Sequence, residues 1–398
     1  MSMNTYVVIM AGGSGERFWP LSRIHKPKQL LRLTSPSQTM IEEAIDRISP
    51  LVPSDRIKPL VPSDRILIIT SEVLRETIVK ALPSIPPENV IAEPAKRNTA
   101  PCLALASAII RQRENGNDAL MAVLAADHFI GDADAFRADV EKALAYAEAN
   151  DALVTMGIQP TRPETGYGYI QILRGPQDDK FAIHRVEQFR EKPTLELARE
   201  FLASGNYLWN SGMFFWRVST LEAAMKLTLP DVGNAIAALA PRPHTTDETT
   251  SETTGDETAD ETTGETGDET TEVSAARLLF ASLPDISIDF GVMERAKNVV
   301  VVPASFPWDD VGSWDSLYRM QTHDSFDNVV KGNVEMVDTA GSIICNANTR
   351  PHVVATLGLD DIIIVATDDA TLICSKERAQ DVKQIVTALR SKGLTDVL

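Results

Sequence analysis

The chain has 398 residues, of which 43% are hydrophobic and 24% are charged, and its formal net charge is −18. This is the composition of a folded globular protein that is long enough for two or three domains. So acidic a surface repels phosphate backbones and anionic lipids, which argues against a nucleic-acid-binding protein and against a membrane-surface protein. No apolar run approaches the roughly 18 residues that a membrane span needs. The three cysteines, Cys102, Cys345 and Cys374, fit neither a disulfide framework nor a zinc pattern, so we expect a cytoplasmic protein.

The first 200 residues alternate short apolar runs with longer amphipathic stretches. Strands are predicted at Tyr6–Ala11, Arg65–Thr70, Met121–Ala126 and Ala152–Ile158. Helices are predicted at Thr39–Ile48, Ser71–Leu82, Ala100–Gln112 and Ala133–Ala149. This alternation indicates βαβ units, a mostly parallel sheet and helices on both of its faces, which is an α/β fold. Because such sheets bind ligands at the carboxyl ends of their strands, we expect the functional residues in the loops that follow strands.

The second half of the chain changes its composition twice. Residues 244–272 hold eleven carboxylates and no Lys or Arg, so the rest of the chain carries a net charge of −7. Such a segment buries too little apolar surface to offset its ordering entropy, so we predict a disordered insert in a domain of residues 1–325. A cation-binding or partner-docking role is the alternative, although the ligand spacing of a calcium loop is absent. Short β-rich runs predict a second, smaller domain at residues 326–398, which ends in a helix at about Lys376–Arg390.

A glycine-rich loop follows the first predicted strand. It reads Ala11-Gly-Gly-Ser-Gly-Glu-Arg17, and Lys26-Pro-Lys-Gln29 comes soon after it. Glycines after a parallel strand let backbone N–H groups approach an anion closely. The loop is neither a P-loop nor a dinucleotide fingerprint, since no Gly-Lys-Ser/Thr ends it and Phe18 stands where the third glycine belongs. For the loop alone a tight turn is an equally good interpretation, but the flanking cations Arg17 and Lys28 favour a polyphosphate site.

Two aspartates stand where a metal ion could meet those phosphates. Asp127 comes directly after an apolar strand, and Asp310 lies in a tight turn between aromatic residues. Oxygen ligands without a His or Cys cluster suit Mg²⁺ better than zinc. For either aspartate alone, a helix cap or a turn residue is an equally good interpretation. His128 is interpreted as structural rather than as a ligand.

Polar residues interrupt the apolar middle of the chain. The segments are Gly166-Tyr-Gly-Tyr-Ile170, Phe189-Arg-Glu-Lys-Pro193 and Tyr207-Leu-Trp-Asn-Ser-Gly-Met-Phe214. An Asn and a Glu among aromatic residues offer the hydrogen bonds and apolar walls that a polyhydroxyl ligand needs. A surface ion pair would explain Glu191 and Lys192 equally well.

Taken together, these motifs resemble those of a known family. Gly12 to Arg17 with Pro27-Lys28 resembles the signature of the sugar-nucleotidyltransferase superfamily. Further blocks, in the family's order over about residues 5 to 320, are similar to those of the mannose-1-phosphate guanylyltransferases. They are Phe18-Trp-Pro-Leu-Ser22, Pro27-Lys-Gln29, Glu93-Pro-Ala-Lys-Arg-Asn-Thr-Ala-Pro101, Ala126-Asp-His128, Gly166-Tyr-Gly-Tyr-Ile170, Glu191-Lys-Pro193, Trp209-Asn-Ser-Gly-Met213, Ser287-Ile-Asp-Phe-Gly-Val-Met-Glu294 and Trp308-Asp-Asp-Val-Gly-Ser-Trp314.

The resemblance implies a role for each matching position. It implies a Rossmann-like α/β domain followed by a small domain similar to a left-handed β-helix, which is used in the contacts of a homodimer. It also implies GTP and mannose 1-phosphate as substrates and Mg²⁺ as cofactor. The residues with implied roles are Gly12, Gly13 and Arg17 at the nucleotide, Lys28 at the phosphates, Asn98 near the nucleoside, Asp127 and Asp310 at Mg²⁺, and Gly168, Glu191, Lys192, Asn210 and Asp289 at the sugar phosphate.

The reaction that the resemblance implies needs no nucleophilic side chain. A sugar 1-phosphate is largely dianionic at neutral pH, since its second pKa is about 6, so its own oxygen can attack the α-phosphorus of GTP. The product would be GDP-mannose, with pyrophosphate as the leaving group. Two alternatives stay open: a pyrophosphorylase for another nucleotide or hexose 1-phosphate, and a catalytically silent regulatory homologue. The presence of Arg17, Lys28, Asp127 and Asp310 together argues against the silent homologue.

Overall fold

The structure, a computed structural model, describes residues 3–49, 60–173, 182–239 and 266–398. The strands in these ranges are β1 (Thr5–Met10), β2 (Ile66–Ser71), β3 (Val90–Glu93), β4 (Leu120–Ala125), β5 (Phe129–Ile130), β6 (Leu153–Ile158), β7 (Gly168–Ile172), β8 (His184–Glu191), β9 (Tyr207–Arg217), β10 (Val299–Pro303), β11 (Trp308–Asp309), β12 (Val329–Lys331), β13 (Val334–Ala340), β14 (Ile343–Asn346), β15 (Val354–Asp360), β16 (Ile362–Ala366) and β17 (Thr371–Ser375). The α-helices are α1 (Met40–Ile48), α2 (Glu72–Ala81), α3 (Thr99–Arg113), α4 (Ala133–Ala149), α5 (Leu195–Ser204), α6 (Val218–Thr228), α7 (Pro230–Leu239), α8 (Thr266–Ser282), α9 (Trp314–Met320) and α10 (Val382–Ser391).

A mixed sheet forms the centre of the first 325 residues. Its strand order is β3-β2-β1-β4-β9-β6-β10-β8-β7, and β9 also pairs with β7. β1 pairs in parallel with β2 and β4, whereas β9 runs antiparallel between β4 and β6. The strands β7 and β8 pair antiparallel as neighbours. Parallel pairing therefore dominates the end of the sheet that carries the glycine-rich loop, and antiparallel pairing dominates the other end.

Helices cover both faces of this sheet, because side chains along each strand alternate between two hydrophobic clusters. Tyr6 and Val8 of β1 belong to one cluster, and Val7 and Ile9 belong to the other. Helix α3 packs on the first face and helix α4 on the second. The early strands and helices predicted from the sequence are all present, with ends shifted by at most one residue.

The acidic segment is only partly within the described residues. Residues 244–265 lie outside them, but residues 266–272 form the beginning of α8, so the prediction of disorder does not hold for those seven positions. The physical reason is in the second half of the helix, where Phe280 is fully buried and packs in the same cluster as α7. Once that half is anchored, adding further turns costs far less free energy than starting a helix.

The C-terminal strands form two small parallel stacks. β12, β14 and β16 pair in parallel, β17 closes that sheet antiparallel, and β13 pairs in parallel with β15. The predicted final helix is divided into a 3-10 helix at Lys376–Asp381 and the α-helix α10.

This β-rich part is not packed independently of the first 325 residues. Ile343 and Val386 share a hydrophobic cluster with Phe18 and Trp19, which follow the glycine-rich loop, and with Trp314 of α9. The Trp19 indole N–H also donates to the carbonyl of Val397 over 2.7 Å. Within the described residues, no helix is long and apolar enough to cross a membrane.

Candidate active site

The glycine-rich loop after β1 contains one position where only glycine fits. Gly15 has a φ of +62°, and a Cβ atom there would lie 2.4 Å from Cβ of Lys28. Gly12 and Gly13 are exposed, and no atom lies within 4 Å of where their Cβ atoms would be, which leaves open space over the loop. The loop is thus pressed against Lys28 on one side and free for a ligand on the other. Gly15 was not among the predicted site residues, although its place as the third glycine of the loop was the available signal.

Lys28 brings together the two predicted metal ligands. It lies in a 3-10 helix at Lys28–Leu30, and its side chain is only 6% exposed. Its ammonium donates to Oδ2 of Asp127 over 2.8 Å and to the backbone carbonyl of Asp310 over 2.7 Å. Burial alone would raise the pKa of Asp127, but the Lys28 ammonium outweighs it and keeps the pKa of this carboxyl below its usual value. Asp127 is therefore ionised at neutral pH.

The carboxyl group of Asp310 has different partners. Its Oδ1 accepts hydrogen bonds from the Tyr167 hydroxyl over 2.6 Å and from the Gly312 N–H over 3.1 Å. Burial raises the pKa of Asp310 to about 6, and the nearby negative charges of Asp309 and Asp127 add to this rise. Burial also raises the pKa of Tyr167, so its hydroxyl stays protonated and remains a donor. Tyr167 is a site residue that the sequence reasoning did not identify.

These side chains fit a divalent cation that arrives with phosphate groups. The described residues contain no cluster of three or more His, Cys, Asp or Glu side chains that could hold a metal ion alone. Mg²⁺, however, is usually bound through one or two carboxylates together with substrate phosphates and water. Asp127 offers a carboxylate beside the Lys28 ammonium, and Asp310, whose backbone carbonyl binds the same ammonium, offers a second carboxyl group with an elevated pKa that a nearby cation would lower.

His128 packs against an aromatic side chain. Its Nδ1 accepts a hydrogen bond from the Trp308 indole over 3.3 Å, and the two rings meet edge to face. Burial lowers the pKa of His128 to about 4, so the ring is neutral at physiological pH. The structure agrees with its interpretation as a structural residue.

A second group of predicted residues meets where β7 pairs with β8. Gly168 lies opposite Glu191, and Oε2 of Glu191 points to within 2.1 Å of where a Cβ atom of Gly168 would be. That oxygen is buried and has no hydrogen-bond partner in the structure. Burial, followed by the charges of Asp289 and Glu294, raises the pKa of Glu191 to about 7. Lys192 has a positive φ of 48°, and its N–H donates to the carbonyl of Tyr167 over 3.2 Å.

Asn210 and Asp289 complete this group. The Asn210 amide donates to Oδ1 of Asp289 over 2.7 Å, and its own oxygen accepts from the Gly212 N–H over 3.1 Å. Asp289 begins a π-helical turn at Asp289–Met293, and burial raises its pKa. This place therefore offers the carboxylate oxygens of Glu191 and Asp289 and the amide of Asn210, all on half-buried residues, which is a chemistry suited to hydroxyl groups.

Arg17 and Asn98 are not joined to either group by a hydrogen bond within the described ranges. Arg17 is half-buried, and its Nε is buried without a hydrogen-bond partner. Asn98 has a φ of +65°, and its side chain accepts from the N–H of Thr99 at the start of α3. The structure thus places Asn98 as a helix cap in the loop after β3.

A cavity of about 220 Å³ opens beside the glycine-rich loop. Gly12 and Ser14 of the loop, Ser71 and Leu74 near the start of α2, and Val386 of α10 are among its lining residues. Its lining also includes Arg390 and Glu16, which form an ion pair of 2.9 Å. Asn98 does not line it. The cavity shows that the C-terminal part of the chain reaches the loop that is predicted to hold the nucleotide.

Comparisons with known proteins agree with this arrangement. The family described as nucleotidyl transferase matches residues 6–325, and the family described as MannoseP isomerase/GMP-like beta-helix domain matches residues 332–389. Mannose-1-phosphate guanylyltransferase of Escherichia coli K12 is 39% identical over 98% of this chain and 74% of its own length. Mannose-1-phosphate guanylyltransferase ManC of Salmonella typhimurium LT2 is 38% identical over the same shares.

A solved structure extends the likeness to three dimensions. The crystal structure described as mannose-1-phosphate geranyltransferase from Thermus thermophilus has a TM-score of 0.77 and 32% identity, and the match covers 98% of this chain and 100% of that one. The predicted fold, a mixed α/β sheet with a β-helix-like C-terminal part, is confirmed. The chain belongs to the nucleotidyl transferase family and, within it, to the mannose-1-phosphate guanylyltransferases.

Proposed function

We propose that this protein transfers GMP from GTP to α-D-mannose 1-phosphate, giving GDP-mannose and pyrophosphate, with Mg²⁺ as cofactor. The observation that carries the proposal is the Lys28 ammonium, held between Asp127 and the carbonyl of Asp310 and pressed against the glycine-rich loop. The choice of guanine and mannose is supported by the names of the relatives, which are 39% and 38% identical to this chain.

The substrates supply their own nucleophile and leaving group. A phosphate oxygen of mannose 1-phosphate attacks the α-phosphorus of GTP, the new P–O bond forms, and the bond to the bridging oxygen of pyrophosphate breaks. Because both reactants are anions, the protein has to reduce their repulsion and hold them in line. No general base is required, since the attacking oxygen carries its charge already at neutral pH.

Lys28 is placed to stabilise charge on the phosphates. An ammonium group has three N–H donors, and the hydrogen bonds to Asp127 and Asp310 use two of them. The third donor remains for a phosphate oxygen, and burial of the side chain strengthens that interaction. Arg17 brings a second cation on the same loop, and its unpartnered Nε supports a contact with the leaving pyrophosphate.

Asp127 and Asp310 are the residues that would hold Mg²⁺. When bound, Mg²⁺ neutralises phosphate charge and helps to align the attacking and leaving oxygens. The protein keeps Asp127 ionised through Lys28 and orients Asp310 through the Tyr167 hydroxyl and the Gly312 N–H.

The sugar would bind on the other side of the reacting phosphates. The unpartnered Oε2 of Glu191 and the amide of Asn210 are suited to the hydroxyl groups of a hexose. Lys192, the residue that follows Glu191, brings a cation to the same place, which favours a phosphorylated sugar over a free one. Because Gly168 has no side chain, the Glu191 carboxylate can occupy the space next to it.

We further propose that the protein is a cytoplasmic homodimer. Its three cysteines are free, which is typical of a reducing compartment. Val337, Leu357 and Ile373 on the C-terminal strands are more than half exposed, and a second copy could cover them. Light scattering on the purified protein would test the dimer, and a monomer at micromolar concentration would refute it.

The test of the reaction is coupled pyrophosphate release with a matrix of substrates. We expect release with GTP and mannose 1-phosphate in Mg²⁺, loss of release in excess EDTA, and much slower release with ATP, UTP or glucose 1-phosphate. Faster release with another pair would reassign the substrate but keep the reaction. No release with any pair would favour a silent regulatory homologue.

A further inference from the structure

Tyr167 touches both halves of the candidate site. Its hydroxyl donates to Oδ1 of Asp310, and its backbone carbonyl accepts from the N–H of Lys192. Asp310 lies 143 positions further along the chain, so this contact depends on the tertiary fold. Because the hydroxyl binds Oδ1 of Asp310, the other carboxylate oxygen, Oδ2, can bind a further ligand.

The ring of Tyr167 is fixed from several sides. It is 8% exposed and meets Trp209 and Trp308 edge to face, with ring centroids 5.2 and 5.4 Å away. The Arg162 guanidinium lies 5.7 Å from the centre of the Tyr167 ring and 5.0 Å from that of Trp209, and it donates to the Tyr167 hydroxyl over 3.3 Å. These contacts hold the ring in place, and the phenolic oxygen accepts a hydrogen bond from Arg162. The hydroxyl proton is therefore directed to Asp310.

We propose that Tyr167 is a positioning residue that holds the Asp310 carboxylate for cation binding and ties it to the Lys192 side of the site. This inference rests on the proposed function, since it takes Asp310 as a ligand of the divalent cation. Groups that orient metal ligands by hydrogen bonding matter for affinity, and removing one commonly costs about 10- to 100-fold in metal binding or activity. Tyr167 reaches the substrate only through other residues, so it is not itself a catalytic residue.

Tyr167→Phe isolates the hydroxyl, because the variant keeps the ring contacts and the backbone hydrogen bond to Lys192. Tyr169→Phe is the matched control. Tyr169 lies two positions later in β7, is fully buried, and donates its hydroxyl to the backbone carbonyl of Glu164 over 2.9 Å, away from Asp310. Both substitutions remove one buried hydroxyl donor, so a general loss of stability would affect them alike.

The measurement is the dissociation constant of the full chain for Mn²⁺. The free ion is quantified in each titration by its electron paramagnetic resonance signal. We expect Tyr167→Phe to raise this constant about 10-fold or more, and Tyr169→Phe to leave it within about twofold. In steady-state assays Tyr167→Phe should lower kcat and raise the Mg²⁺ concentration for half-maximal rate, while KM for mannose 1-phosphate changes less than threefold or so. A Mn²⁺ constant for Tyr167→Phe within about threefold of the parent overturns the inference, as does an equal rise in the control.

A double-mutant cycle with Asp310→Ala keeps the test independent of general damage to the site. If Tyr167 acts through Asp310, removing its hydroxyl in the Asp310→Ala background should cause no further loss of Mn²⁺ affinity. A full additional loss there would overturn the inference. A parent chain that binds no Mn²⁺, with or without pyrophosphate present, would refute the proposed metal site itself, and the inference would fall with it.

Discussion

Replacing Gly168 by alanine should disable the sugar side of the site without disturbing the nucleotide side. The φ of Gly168 is not in the left-handed region, so the substitution adds no backbone strain, and its effect is steric. The new methyl group would lie 2.1 Å from Oε2 of Glu191 and 3.3 Å from Cβ of Asn210. Ordinary contact needs about 3.5 Å, so the Glu191 carboxylate has to move by roughly 1.4 Å.

That displacement sets the size of the expected effect. A misplacement of about 1 Å can cost 10²-fold in rate when a group positions a substrate. We therefore expect Gly168→Ala to lower kcat/KM for mannose 1-phosphate by about 10²-fold, and to leave the dissociation constant of GTP within about threefold of the parent value. The assay is steady-state pyrophosphate release at saturating GTP with varied mannose 1-phosphate, together with GTP binding measured by calorimetry.

Gly166→Ala is the matched control for this substitution. A methyl group at Gly166 would meet only Oε1 of Glu164, at 3.3 Å, and Gly166 is exposed. This variant should retain kcat/KM within about threefold. If Gly168→Ala also retained kcat/KM within about threefold while melting at the parent temperature, Glu191 would not be positioned for the sugar, and the reasoning would be refuted.

Three further perturbations concern Glu191, Trp19 and the acidic segment. Burial raises the pKa of Glu191 from 4.5 in the unfolded chain to about 7 in the folded protein. As the pH rises between these two values, the carboxyl group ionises in the unfolded chain but stays protonated in the folded protein, so the free energy of unfolding falls. Glu191→Gln should therefore raise the free energy of unfolding at about pH 8 by roughly 1–3 kcal/mol and leave it unchanged at about pH 4, as urea unfolding would show; an equal gain at both pH values would contradict this cause. Trp19→Phe removes the donor to the Val397 carbonyl and should cost about 1–3 kcal/mol in the same assay, whereas no loss would show that the C-terminal contact contributes little. Deleting residues 244–265 should leave both turnover and melting temperature nearly unchanged, because this stretch of Thr, Asp, Glu and Gly has almost no apolar side chain to bury, and a large drop in melting temperature would show that it packs.

The sequence was sufficient to predict four strands of the sheet and the position of the glycine-rich loop and Asp127 at one edge of it. The apolar runs of β1, β2, β4 and β6 are long and β-branched or aliphatic, so their positions follow from local pattern alone. The rule that ligands bind where parallel strands end then placed the glycine-rich loop and Asp127 at one edge.

The contacts that no local pattern encodes could not be predicted. Lys28 reaches Asp310 through a backbone carbonyl, and Tyr167, just before β7, reaches the Asp310 carboxylate across 143 positions of the chain. Both depend on how β7, β11 and the loop pack together. The packing of Val386 and Trp19 into one cluster is likewise a tertiary property. Composition and periodicity alone predicted that these two residues lie in separate domains.

The central claim is that the Lys28 ammonium stabilises charge on the reacting phosphates beside Asp127 and Asp310. The most direct test is the turnover number for pyrophosphate release from GTP and mannose 1-phosphate, compared between the parent, Lys28→Met and Lys26→Ala. Methionine keeps the buried aliphatic packing of Lys28 and removes its charge, whereas Lys26 is an exposed lysine two positions earlier. We predict a loss of 10²-fold or more for Lys28→Met and less than threefold or so for Lys26→Ala. Turnover by folded Lys28→Met within about threefold of the parent would contradict the account.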